Sequence, residues 1–397
     1  MNPPARFRSW PFAGLLIGAG LLSPADPLAA APDAPSGAPA RIAGLGDVFL
    51  PSPQGPDFVV TYLVKRGWGT PGDDTATVSR SGGWLRVDKI ENHHAGTTYI
   101  GAATSVVAEL GRDDAGRYRA LQVYGAAHAP SPGIQYDPRK TGASDTVLGE
   151  PCEVWSVYRQ PPDRVSKGFE RTGCVTGDGI ELWRKTAGGF GELSSARAVS
   201  VERRAVSPGG THPPADLLDL RAWGVAAVTG PAAAPDFEVV LAPDGQSHLA
   251  PMTVRRHGGW MYEDRSDYSG MRMLFSHRLD NAVMIGADFD AAGQPKRLSI
   301  ERRAPSTGPS LGAPMAGKVG TVLGEPCAWV DAMPLTYDAG RSECRAADGA
   351  PLRIVFTMRG GDGFGYTATR VSRRRLTLAQ VLPSRDLLAP KAWGLRD

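Results

Sequence analysis

The stretch TVLGEPCEVW at 146–155 returns as TVLGEPCAWV at 321–330, 175 residues further on. Further matches spread outward from it in one order. TVSRSGGWLRVDK at 77–89 aligns with TVRRHGGWMYEDR at 253–265, which places Trp84 on Trp260. SVVAELGRDDAGRYRAL from 105 matches AVMIGADFDAAGQPKRL from 282, and Cys174 with Asp178-Gly179 matches Cys344 with Asp348-Gly349. GFGELSSARAVS from 189 pairs with GFGYTATRVS from 363, and DLLDLRAWG from 216 with DLLAPKAWG from 386. The offset drifts only between 170 and 177, and the changes fall in Gly/Pro-rich loops. So long a period lies far above the solenoid range, and at 397 residues a chain is expected to divide. The repeat therefore predicts two whole domains, each with its own core.

Within each copy the hydrophobic pattern has period two. In TATVSRSGGWLRVD, Gly82-Gly83 separates two alternating runs, and a Gly-Gly pair supplies the positive φ of a tight hairpin turn. AGRYRALQVYG and DGIELWRK continue the series, each entered through a Gly-bearing turn. Only the tail PPADLLDLRAW reads as helical, its prolines standing where a first turn tolerates them. The expected fold is mainly β: two tandem homologous domains, each a curled antiparallel sheet of half-barrel type with one or two short helices.

Four cysteines allow three pairings, and repetition selects one of them. Each copy carries its own pair, Cys152 with Cys174 and Cys327 with Cys344, stapling a strand hairpin. Gly149 and Gly324 permit the sharp reversal ahead of it, and Pro151 and Pro326 suit the start or edge of a strand, where no ladder donor is missed. The repeated stretch thus opens the stapled hairpin in each domain. Such bonds call for an oxidising compartment.

The N-terminus agrees with that address. Arg6 and Arg8 precede the apolar run FAGLLIGAGLL at 12–22, and Ala29 to Ala31 follow, the order of a secretory signal. The run is too short to span a bilayer, and nothing later reads as a transmembrane helix. The expected organisation is a signal peptide at 1–31, a Pro/Ala-rich linker at 32–50, a first β domain at 51–225, a linker at 226–235 and a second β domain at 236–397. Localisation is expected to be periplasmic or secreted.

Charge excludes more than it identifies. The balance is +3, from 44 Lys+Arg against 41 Asp+Glu, with basic residues interspersed among acids, which is not a nucleic-acid binder's distribution. Arg373, Arg374 and Arg375 read as a solvated strand edge. GAPMAGK at 312–318 has phosphate-loop spacing, but Val319 replaces the metal-binding hydroxyl, Pro314 interrupts the cradle and no strand-to-helix turn is evident. DFDAAG from Asp288 begins like a calcium loop, yet Ala292 and Ser299 stand where oxygen ligands are required and its counterpart GRDDAG from Gly111 spaces its carboxylates differently, so both read as hairpin tips. His93-His94 is the one adjacent histidine pair, and neighbours in a strand point to opposite faces. His128, His212, His248, His257 and His277 recur at no matched position, His257 replacing Ser81. No His-Glu-x-x-His motif occurs, and no catalytic, metal or cofactor-binding residue is assigned.

The order DFVV…TVSRSGGWLRVD…TTYIGAATSVVAELGRDDAGRYRAL…VLGEPCEVW…CVTGDGIEL resembles the LolA-like half-barrel superfamily of bacterial envelope proteins, which includes outer-membrane lipoprotein carriers. The resemblance covers about 170 residues, twice. It implies a curved antiparallel sheet cradling acyl chains on its concave face. The familiar carriers are single domains, and none of their functional residues is matched here, so the resemblance implies an architecture and a ligand class but no site. Three functions follow in order. First is an exported non-enzymatic binding protein for a lipid, a lipoprotein or another apolar small molecule. Second is an envelope protein–protein interaction module with a filled core. Third is a hydrolase without a recognisable motif.

Overall fold

The computed structural model describes residues 55–66, 74–91, 94–101, 104, 106–125, 135–160, 168–188, 191–225, 235–245, 248–267, 269–279, 282–303, 312–333, 339–358 and 361–395, all within one compact unit, Gly37–Asp397. The expected signal peptide and first linker, nearly all of the second linker, and His93 and His128 lie outside the described residues. The first half supplies β1 (Phe58–Arg66), β2 (Asp74–Ser81), β3 (Trp84–Glu91), β4 (His94–Gly101), β5 (Val106–Arg112), β6 (Tyr118–Tyr124), β7 (Gln135–Val147), β8 (Glu150–Gln160), β9 (Phe169–Val175), β10 (Glu181–Gly188) and β11 (Gly191–Glu202). The second supplies β12 (Phe237–Pro243), β13 (Met252–His257), β14 (Trp260–Ser266), β15 (Arg272–Arg278), β16 (Val283–Phe289), β17 (Pro295–Arg302), β18 (Ala313–Val322), β19 (Glu325–Met333), β20 (Ala339–Arg345), β21 (Pro351–Met358) and β22 (Gly361–Ser372).

Every pairing is antiparallel, and the two halves pair their strands in the same order. The first runs β7-β8-β9-β10-β11-β1-β2-β3-β4-β5-β6. The second runs β18-β19-β20-β21-β22-β12-β13-β14-β15-β16-β17. The glycine hairpins predicted from the sequence close β2 to β3 and β13 to β14, with Gly82 at φ 54° and Gly258 at φ 56°. The halves are joined edge to edge. β6 pairs with β17 so that Gln122 faces Ser299, Leu121 faces Ile300 and Val123 faces Leu298. Gln122 and Ser299 are matched positions of the repeat, as are Leu121 with Leu298 and Val123 with Ile300. The join is therefore self-complementary about one residue pair, the pattern of a two-fold interface. The result is one continuous 22-stranded sheet, not closed into a barrel.

Burial follows from the alternation of side chains along each strand. One core lies in the first half (Phe58, Val60, Ile100, Val107, Ile180, Leu182) and a second in the other (Phe237, Val239, Leu241, Leu352, Ile354, Tyr366). Each gathers strands that are not neighbours: β13 and β20 share a core although β12, β22 and β21 separate them in the sheet, so the sheet curls. A third core draws on both halves, combining Leu110, Leu121 and Val123 with Trp260, Ile285 and Ile300 under the two chain tails, which add Trp223 and Trp393. This shared core is additional to the one that each half keeps for itself. The tails also differ from the helical reading. They run in turns, with a 3₁₀ stretch at Pro390–Trp393, and each buries its Trp by an indole N–H donated to Leu217 O (3.0 Å) or Leu387 O (2.7 Å). A segment of about a dozen residues is too short to be helical by propensity, and packing decides its path.

Candidate functional site

The interiors of the two curls differ in kind. In the first, the residues matching Glu263 and His277 are Val87 and Ile100, both buried in an apolar core. A deep ion pair there joins Arg171 on β9 to Glu181 on β10 (3.0 and 3.2 Å), and Tyr62 donates its hydroxyl to Glu181 O at 2.6 Å. In the second, Arg341, the counterpart of Arg171, instead crosses the curl to Glu263 on β14, donating twice (2.9 and 2.7 Å). Arg341 Nε also ion-pairs Glu343 at 2.6 Å, and Arg345 pairs Glu343 at 2.6 Å. Arg265 lies over Phe275 (5.2 Å) and Phe356 (5.0 Å), a cation–π arrangement within the same cluster. Burial alone would raise the Glu263 pKa, but Arg341 overrides it and brings the carboxyl down to about 2. Burial pulls His277 below its ordinary value, which keeps the ring neutral.

The repeated stretch places an exposed leucine at a hairpin tip in each half. β7 and β8 close through Leu148-Gly149, with Val147 facing Glu150, and β18 and β19 close through Leu323-Gly324, with Val322 facing Glu325. Leu148 has φ 55° and Gly149 φ 80°; Leu323 has φ 54° and Gly324 φ 76°. Two consecutive left-handed residues make a type I′ turn, whose first position favours Asn, Asp or Gly. A leucine there is strained by about 1–2 kcal/mol. Neither leucine recovers this by packing, for they are 55% and 56% exposed.

Beneath each tip sits the same clamp. Arg203 donates to both oxygens of Glu150 (2.8 and 2.6 Å) and through Nε to Asp178 (2.6 Å). Arg373 does the same to Glu325 (2.9 and 2.6 Å) and Asp348 (2.7 Å). Hydrogen bonds from Arg203 hold the Glu150 pKa down, and those from Arg373 hold Glu325 down. The guanidinium ties the tip of one hairpin to the turn of the next, and the disulfide ties their strands. Cys152 is bonded to Cys174, and Cys327 to Cys344, across β8–β9 and β19–β20, the pairing that repetition selects. Arg373 is thus exposed, like Arg374 and Arg375, and at the same time pinned between two carboxylates. The signal was in the repeat, since Glu150/Glu325, Asp178/Asp348 and Arg203/Arg373 all match.

The remaining candidates are dispersed. The phosphate-loop spacing at 312–318 runs along edge strand β18, with no helix after it. Asp113 and Asp290 accept hydrogen bonds from backbone N–H groups of their own hairpin turns, and Asp113 also accepts from Arg117 (2.8 Å) and Arg302 (2.7 Å). His212 sits 2.7 Å from Pro208 O, His257 pairs with Asp236 at 2.9 Å, His277 is buried, and His248 is exposed, so these four are not brought together. Between the two tails lies a shallow depression of about 420 Å³ lined by Leu218, Leu220, Val225, Leu378, Leu382 and Leu388. Among the described residues no helix is long and apolar enough to cross a membrane.

No family model matches the chain, and no curated protein matches it. Among solved structures it is similar to PNGF-II in two crystal forms, at 11% and 10% identity and a TM-score of 0.27 in both, covering 53% and 64% of this chain. The chain spans 40% and 65% of those two chains, less than two thirds of their length. A mutant of transferrin binding protein B from Haemophilus parasuis is matched at 8% identity and a TM-score of 0.10, over 80% of this chain and 77% of its own. Likenesses at these scores carry no argument about fold or function.

Proposed function

We propose that this chain is an exported interaction module that binds a protein partner on its outer surfaces and carries out no catalysis. The carrying observation is that the curls are filled by the chain's own side chains. In the first, Val60, Ile100, Val107, Ile180 and Leu182 have no exposed surface, and in the second a desolvated cluster of Glu263, Arg341 and Glu343 spans the space between β14 and β20. An acyl chain laid against that cluster would gain no apolar burial and would face ionised groups. Carriage of a lipid, lipoprotein or other apolar ligand on the concave faces is therefore the less supported reading, and the half-barrel likeness bears on architecture only. Export is supported by two disulfides, which persist in oxidising compartments, and we place the chain in the bacterial periplasm or outside the cell on that ground. The recurring strand order supports a duplicated unit, its two copies lying on either side of residues 226–235.

The test is solvent extraction of the natively purified protein followed by mass spectrometry, together with titration of a fluorescent fatty acyl probe. The expected result is no stoichiometric lipid and no saturable uptake. Retention of an acyl lipid, or saturable probe binding, would overturn the proposal in favour of carriage.

A further inference from the structure

We infer that the two Leu-Gly hairpin tips are the docking elements of this module, and that they engage a protein offering two equivalent apolar pockets rimmed with positive charge. The inference rests on the interaction-module reading and names its surface and partner class. At both turns a residue suited to left-handed backbone would close the hairpin without strain, yet a leucine stands at φ 55° and φ 54° with more than half of its surface in solvent. Neither the turn nor a core accounts for it. What an exposed branched side chain does provide is an apolar knob that fills a pocket on another molecule. The knob is presented rigidly. Arg203 and Arg373 tie the turns down, and the disulfides lock the strands beneath, so little ordering remains to oppose binding.

Charge selects the class of partner. Under each tip one guanidinium lies between two carboxylates, Arg203 between Glu150 and Asp178, and Arg373 between Glu325 and Asp348, so each triad is left with one negative charge. An anionic lipid surface would be repelled there, whereas a pocket with a basic rim is complementary. Number follows from the join. The halves are related about the Gln122–Ser299 pair, so the tips are two copies of one feature carried on a single sheet, matched by a partner that presents its pocket twice. Engagement of both adds effective concentration to a modest single contact.

A photo-crosslinking residue is placed at Leu148 and, separately, at Leu323 of the full chain in the producing cell. The expected outcome is one and the same protein captured from both positions. That protein, purified, should bind the unmodified chain, lose about tenfold in affinity to Leu148→Asn or Leu323→Asn, and lose about a hundredfold to the double variant. Asn-Gly is the favoured pair for this turn, so the double variant should unfold at the same or a higher urea concentration than the parent. A merely structural leucine would instead lower that midpoint, and such a loss overturns the inference. It is equally overturned by unchanged affinity of the double variant, by no adduct from either tip, by adducts only with a second copy of this chain, or by binding of the parent to vesicles of phosphatidylcholine and phosphatidylglycerol that the double variant loses. A crosslinker at Asp219, beside the depression between the tails, separates the two proposals: a partner captured there and not at the tips ends this inference and leaves the interaction module standing.

Discussion

Glu263→Gln keeps the shape of the side chain that spans the second curl and removes its charge. The carboxyl titrates at about 2 in the folded chain against its ordinary 4.5, held down by Arg341 against the opposing effect of burial. That difference of about 2.5 pKa units corresponds to about 3 kcal/mol of folding stability at neutral pH. Because the folded pKa is depressed, the stabilisation is complete above about pH 5 and is lost as pH falls from 4.5 towards 2. Urea unfolding followed by fluorescence at pH 7, 4 and 2.5 measures it. The variant should be less stable by about 3 kcal/mol at pH 7, and the gap should narrow steadily with acid. Burial pulls His277 below its ordinary 6.5 while the Glu263 charge opposes it, so the comparison is made in a His277→Gln background that removes this coupled titration. A variant within about 1 kcal/mol of the parent at pH 7, or a gap independent of pH, would refute the account of this cluster.

Two further outcomes follow from the covalent and apolar ties. Replacing either Cys152 or Cys327 together with its partner by Ala should cost about 3 kcal/mol per bridge, as expected for sequence separations of 22 and 17, and non-reducing peptide maps should show no bond between the halves. Trp223→Ala and Trp393→Ala should each cost about 3–5 kcal/mol, since both rings lie in the core shared by the two halves; a loss below about 1 kcal/mol in thermal or urea unfolding would show that the tails are ornaments on the sheet.

Local features of this fold are written locally. Gly82-Gly83 and Gly258-Gly259 mark hairpins because positive φ is a property of one or two residues, and the cysteine pairs could be assigned because repetition removed two of three pairings. The join of β6 to β17 was hidden, for Tyr118–Tyr124 and Pro295–Arg302 look like any other strands and their partners lie far off in the chain. Glu263 was hidden for a related reason. It stands among Tyr262, Asp264 and Arg265 in a strand that reads as polar on both faces, and only a curl bringing β20 over β14 makes it buried. The clamps fall between these cases. Each of their residues recurs at its matched position, but the sequence does not say that Arg203 and Arg373 reach across two turns to meet their carboxylates.

The β6–β17 seam has a consequence for how the halves can exist at all. Each would, if separated, present a bare ladder that fits its own twin, since Leu121 and Val123 on one side answer Ile300 and Leu298 on the other. Such an edge invites uncontrolled association between molecules. Tethering both within a single polypeptide lets each satisfy the other at high local concentration and at fixed one-to-one stoichiometry, so a surface prone to aggregation becomes the spine of a single chain.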